Sequence, residues 1–205
     1  MARITGKRKI RAKYAVLGDG ITEQWYLKHL KDYRNYIFSI KPTLFDDITF
    51  EKAEDIIDDL LAGGCNKIIY LTDYDTLVAQ DKLQSFNKFK RKYASRKDVF
   101  ICESMPAIEI WFLLHFQYTT KEYVNCNQLL DDLKNHIPNY KKKKIFLQQT
   151  DWFNLMVSEE KDDQAGKNAT RLSKLRSKGN TQQHFPFTQL HLAIAEFEKQ
   201  KKKQA

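Results

Sequence analysis

Ile68-Ile69-Tyr70-Leu71-Thr72-Asp73-Tyr74-Asp75 carries the clearest architectural signal in the chain. Four apolar residues in a row, too few for a helix, suit a strand buried on both faces of a parallel sheet. The acids that follow mark its carboxyl end. Upstream, residues 50–61 place Phe50, Ala53, Ile56, Ile57, Leu60 and Leu61 at helical period, and Gly63-Gly64 offers a left-handed stop. Further upstream, residues 14–17 read as a first strand, Gly18-Asp19-Gly20 as a turn, and Thr22 as the N-cap of a helix carrying Trp25, Tyr26, Leu27 and Leu30. A second strand is expected at residues 36–40. Downstream come a charged helix at 83–93 and a fourth strand at 99–102. This alternation predicts an α/β fold with a mainly parallel sheet flanked by helices.

Beyond Pro106 the pattern changes. Residues 107–116 are almost wholly apolar, with Glu109 their only acid, and read as a buried helix. Helices are expected at 127–136, 150–160 and 164–176, with a last one opened by Pro186 and Thr188 and running towards Lys199. The division predicted is an α/β domain over 1–120 and a helical C-terminal region over 121–205 packed on it. The Lys-rich tail after Glu198 reads as disordered.

A chain of 205 residues can build its own core without disulfide staples. Cys65, Cys102 and Cys126 form no Cys-x-x-Cys pair and read as reduced thiols. No run approaches the roughly 20 apolar residues of a membrane span, and the apolar stretch after the basic N-terminus is too short for a secretory signal. A soluble, cytoplasmic chain with no membrane partner is expected. The formal net charge of +9 favours a polyanion such as nucleic acid. The runs Lys7-Arg8-Lys9, Lys141 to Lys144 and Lys201 to Lys203 carry part of that charge, and such runs are more often solvated ends or loops than sites. Arg171, Lys174 and Lys178, at i, i+3 and i+7, share a helix face that could track phosphates or simply be solvated.

Ligands of open α/β sheets bind outside the carboxyl ends of the strands, which brings Asp19 together with Asp73 and Asp75. If Asp73-Tyr74-Asp75 is extended, the two aspartates point the same way and present carboxylates to one hard cation, magnesium or manganese. Such an ion polarises a phosphodiester and activates water. The plainer alternative is that these aspartates cap a helix or shape a turn. Glu23, in the first turn of its helix, has the same alternative through the helix dipole. Glu109 is costly to bury unless paired or ligating. His115 reads first as a hydrogen-bonded core histidine.

Asp19-Gly20-Ile21-Thr22-Glu23 with Tyr26, then Asp73-Tyr74-Asp75, then Ser104-Met105-Pro106 leading through Glu109, Trp111 and Leu113-Leu114 to His115-Phe116, resembles the RloB family. The likeness spans roughly residues 10–120, with a weaker echo at 186–188. That family is similar to Toprim-domain proteins. The resemblance implies a Toprim-like sheet and a magnesium-dependent nuclease, or nuclease subunit, of anti-phage, abortive-infection-like defence in bacteria. It also implies an AAA-type ATPase partner and the possibility of a homo-oligomer. On this reading Asp19, Glu23, Asp73, Asp75 and Glu109 are the catalytic residues: Asp73 and Asp75 hold the metal, Asp19 serves metal or proton transfer, Glu23 supports that group, and Glu109 lies at the rim. One departure stands out, because the family usually has Glu-Gly where this chain has Asp19-Gly20. The shorter acid opens a second class of reading, a non-catalytic nucleic-acid-binding, sensor or assembly subunit. A third, a manganese-dependent nucleotide-sugar transferase, rests on Asp-x-Asp alone.

Overall fold

The computed structural model describes residues 12–18, 20–41, 48–179 and 184–204. The chain opens with β1 (Tyr14–Gly18), α1 (Ile21–Arg34), β2 (Ser39–Lys41) and α2 (Phe50–Ala62). β3 (Lys67–Asp73), α3 (Tyr74–Ala79), α4 (Leu83–Tyr93) and β4 (Val99–Met105) follow. The rest comprises α5 (Glu109–Leu114), α6 (Cys126–Lys134), α7 (Lys144–Leu147), α8 (Asp151–Asn154), α9 (Glu159–Ser177), β5 (Phe187–Thr188) and α10 (Leu190–Gln204). The sheet order is β2-β1-β3-β4-β5, with β1 to β4 parallel and β5 antiparallel at the edge. This is the expected α/β class.

β3 shows why the apolar run carries that signal. Ile69 and Leu71 enter one core with Val16 and Cys102, while Ile68 and Tyr70 enter a second with Ala15 and Leu17. Both faces of the strand are therefore covered, as a central parallel strand requires. The first core is roofed by α1, α5 and the later helices, through Trp25, Leu27, Trp111, Phe112, Trp152 and Phe197 among others. The second is roofed by α2 and α4, through Ala53, Ile57, Phe86 and Phe89. Burying each of the leucine, isoleucine and phenylalanine side chains among these contributes about 1.5–3 kcal/mol.

The crossovers fix where a ligand belongs. From β1 the chain moves outward to β2, then returns past β1 to β3 and β4. Direction reverses between β1 and β3, so their carboxyl ends flank the crevice in which open α/β sheets bind ligands.

Several local expectations change. Asp73-Tyr74-Asp75 is not extended: β3 ends at Asp73, Tyr74 opens α3, and Asp75 lies in its first turn. The reason is long-range, since the Asp75 N–H donates to Pro106 O at 3.0 Å and pulls the chain into a turn there. Thr22 is not the N-cap of α1; Gly20 holds that position and Thr22 is buried inside the helix. Residues 150–160 are not one helix but α8 and the start of α9, whose N-cap is Ser158. Residues 187–188 form β5 instead of opening a helix. They are held by the Ser104 and Thr188 hydroxyls at 2.9 Å and by the Gln189 N–H donating to Glu103 O at 3.0 Å. The tail after Glu198 continues α10, with Gln200 Nε2 donating to Ala12 O at 2.9 Å and Lys201 Nζ to Arg34 O at 2.8 Å. The C-terminal part thus supplies a sheet strand and shares the first core with the N-terminal part. Among the described residues, no helix is long and apolar enough to cross a membrane.

Candidate active site

At the reversal point the structure gathers side chains from both halves of the chain. Asp73 follows Ile69 and Leu71 on the same face of β3, and only 7 % of it is exposed. Its Oδ1 accepts the Ile108 N–H at 2.7 Å, which ties the end of β3 to the turn before α5. That turn delivers Glu109, whose side chain is fully buried. Three donors surround the Glu109 carboxylate: the Tyr140 hydroxyl at 3.0 Å from Oε1, the Lys142 ammonium at 3.3 Å from Oε2, and the Cys126 thiol at 3.5 Å from Oε2. Lys142 Nζ also lies 3.2 Å from Glu109 Oε1, 3.9 Å from Asp73 Oδ2 and 3.7 Å from Cys126 Sγ. One lysine therefore sits between two acids delivered by different strands.

Asp75 joins from below. Its Oδ2 accepts the Cys126 N–H, at the start of α6, at 2.9 Å. Asn125 caps the same helix by accepting from Gln128 N at 3.3 Å. The capping alternative thus holds in part, although the helix served is α6 and not the one that follows Asp75 in sequence. Glu23, 3 % exposed in the first turn of α1, packs over Gly20: a methyl placed there would lie 2.5 Å from Glu23 Oε2. Gly18, beside Leu71 in the sheet, leaves the matching room for the Glu23 Cβ. The two glycines around residue 19 are what let this acid approach the crevice. Asp19 itself lies outside the described residues.

The electrostatics follow from burial and charge. Burial opposes the charge on Lys142, but the carboxylates of Glu109, Asp73 and, more distantly, Glu23 outweigh it and hold the ammonium above its ordinary range. Burial and the Glu109 charge push the Cys126 thiol up, so it keeps its proton. Burial, then Glu109, does the same to Tyr140. All three groups therefore act as donors. The arrangement suits a cation, with the carboxylates of Asp73 and Glu109 on one positive charge and that of Glu23 adding to it from farther off. Among the described residues, no three or more His, Cys, Asp or Glu side chains form a ready ligand set for a metal ion.

Two other candidates lie elsewhere. His115 donates from Nδ1 to Trp111 O at 2.8 Å, and its Nε2 faces Asp162 Oδ1 at 3.6 Å, so it belongs to a cluster with Arg34 and not to the acids. Trp111 Nε1 donates to Tyr26 OH at 2.7 Å, which joins two motif residues inside the core. On α9, Arg171 stacks on Tyr118 at 4.0 Å, and Arg171 and Lys174 line a groove shared with Asp162 and Asp163; Lys178 is exposed at the helix end. Lys142, expected in a solvated lysine run, and Cys126, expected only as a reduced thiol, both meet Glu109 here, as does Tyr140, which no sequence pattern marks. The sequence signal for Lys142 is the need of a buried Glu109 for a counter-charge, which does not say which lysine answers it.

The family model described as RloB-like protein matches residues 14–197. No curated protein and no solved structure matches the chain.

Proposed function

The chain belongs to the RloB-like family, and from that premise we propose that it is a magnesium-dependent nuclease, or nuclease subunit, of the Toprim type. One observation carries the reading: at the reversal point between β1 and β3, two acids from separate elements, Asp73 at the end of β3 and Glu109 at the start of α5, share a single cation, the Lys142 ammonium. Hard carboxylate oxygens are the donors magnesium prefers, and Lys142 stands in for a metal's charge among them. Asp73 and Asp75, with Asp19, are the residues assigned to hold magnesium or manganese. Glu23 supports them and Glu109 closes the buried side. A divalent ion held there would supply Lewis-acid polarisation of a phosphodiester and would lower the pKa of a water ligand. The residues of the chain position it: the Ile108 N–H orients Asp73, and Tyr140 with Cys126 orients Glu109. An anti-phage role in a bacterial cytoplasm, beside an AAA-type ATPase, completes the reading.

A second reading is a non-catalytic nucleic-acid-binding or assembly subunit. It is favoured by the engagement of Asp75 with α6 and by the Asp19 departure from the family's usual Glu. Cleavage separates the two. Supercoiled plasmid and single-stranded RNA are incubated with the protein in magnesium or manganese, alongside Asp73→Asn and Asp75→Asn shown to be folded by circular dichroism. The nuclease reading expects metal-dependent cutting by the native chain and its loss in both variants; equal cutting by either variant ends it.

A further inference from the structure

An acid cluster repels the phosphates it is meant to cut, so a nuclease site needs cations beside it. The structure supplies them in the segment that carries Lys142. Tyr140 is buried on Glu109 and the Lys142 ammonium reaches the same carboxylate from a partly exposed side chain, while Lys141, Lys143 and Lys144 are exposed and pair with no described acid. The segment is fixed at both ends. Tyr140 is buried on one side. On the other, the Lys143 and Lys144 carbonyls accept from Leu147 N and Gln148 N at 2.9 Å, and Leu147 O accepts from His29 Nε2 at 2.8 Å. Three exposed lysines thus flank the residue that reaches Glu109, on a stretch of backbone already anchored, so ordering that backbone adds little to the cost of binding.

We infer that Lys141, Lys143 and Lys144 form a phosphodiester-binding strip that seats the nucleic-acid backbone over the acid cluster, with Lys142 as its inward anchor. This rests on the nuclease reading for its purpose, but not for its test. The strip differs from the α9 face of Arg171, Lys174 and Lys178, where Asp162 and Asp163 share the groove and dilute its positive charge. It differs also from Lys201 to Lys203, which lie at the end of α10.

The test measures binding without catalysis. Fluorescein-labelled 20-nucleotide single-stranded DNA, RNA of the same sequence and the DNA duplex are titrated with the full chain in EDTA, by anisotropy, across a salt series. Native protein is compared with three triple variants: Lys141→Gln/Lys143→Gln/Lys144→Gln, Arg171→Gln/Lys174→Gln/Lys178→Gln, and Lys201→Gln/Lys202→Gln/Lys203→Gln, which all remove the same charge. Each phosphate contact contributes about 0.7 to 0.9 to the slope of log affinity against log salt. The first variant is expected to reduce that slope by about 2 and to weaken binding at least about tenfold near 0.1 M salt, and the third to leave both near native. Equal losses in the first and third variants, loss in the second alone, or no measurable binding by the native chain would each overturn the strip. Metal-dependent cutting that vanishes in Asp73→Asn while the first variant binds normally would sink the strip and spare the nuclease.

Discussion

Lys142 Nζ lies 3.2 Å from Glu109 Oε1, and Glu109 is fully buried. Removing one partner of a buried pair leaves the other uncompensated, a loss of several kcal/mol when both are enclosed. Here 36 % of the Lys142 side chain is exposed, so solvent screens the pair and the loss is smaller. Lys142→Met is expected to destabilise the fold by about 1–2 kcal/mol in urea denaturation. The double variant with Glu109→Gln should cost less than the sum of the single changes, with a coupling of about 0.5–2 kcal/mol. Strict additivity would mean that the pair is not formed.

Asp73 serves structure and site through different atoms. Oδ1 receives the Ile108 N–H, while Oδ2 faces Lys142. Asp73→Asn retains an oxygen for Ile108 and should fold with its stability changed by less than about 1 kcal/mol, whereas Asp73→Ala orphans a buried N–H at about 1–3 kcal/mol. Thermal melts of the two variants check this. Similar melting of both would show that the Ile108 bond contributes nothing.

Gly20 acts through Glu23. A Cβ at Gly20 would meet the far end of a flexible side chain, so Gly20→Ala should move the Glu23 carboxylate at little cost to stability. Nuclease activity, on the proposed reading, should fall by about tenfold or more, since displacing a group by about 1 Å can cost far more than that. Unchanged activity with an unchanged melt would remove Glu23 from the site.

Acid sensitivity has a defined source in His191. Burial lowers its pKa below the ordinary 6.5, so the unfolded chain takes up a proton at a pH where the folded chain does not. Its contribution to stability is therefore complete above 6.5 and is lost as pH falls below that value towards the folded pKa. His191→Gln should flatten the fall in urea midpoint between about pH 6.5 and 5. A fall of the same steepness in the variant would assign it to other groups.

The parts of this structure legible in the sequence are those set by local pattern. β3, α2 and α4 are announced by short apolar runs or helical period, and the parallel sheet follows from their alternation. Asp73 stands at the carboxyl end of β3 because that end is marked by its own residues. What the sequence hides is fixed by contacts between distant residues. β5 is two residues long and exists through Ser104 and Gln189. Asp75 turns away from an extended path because Pro106 O takes its N–H. Lys142 lies 33 positions from Glu109, in a run of four lysines of which one turns inward. Nothing local distinguishes it from its neighbours.

If the carboxylates beside Lys142 form a cation site, they should take up a divalent ion. Manganese binding, followed by electron paramagnetic resonance of the free ion, tests it without reference to any substrate. The native chain is expected to bind manganese, Asp73→Asn to lose most of that binding, and Lys142→Met, freed of its resident cation, to bind more tightly by about tenfold, the equivalent of 1.4 kcal/mol. Absence of binding in both the native chain and Lys142→Met, or binding indifferent to Asp73→Asn, would show that these carboxylates hold no metal.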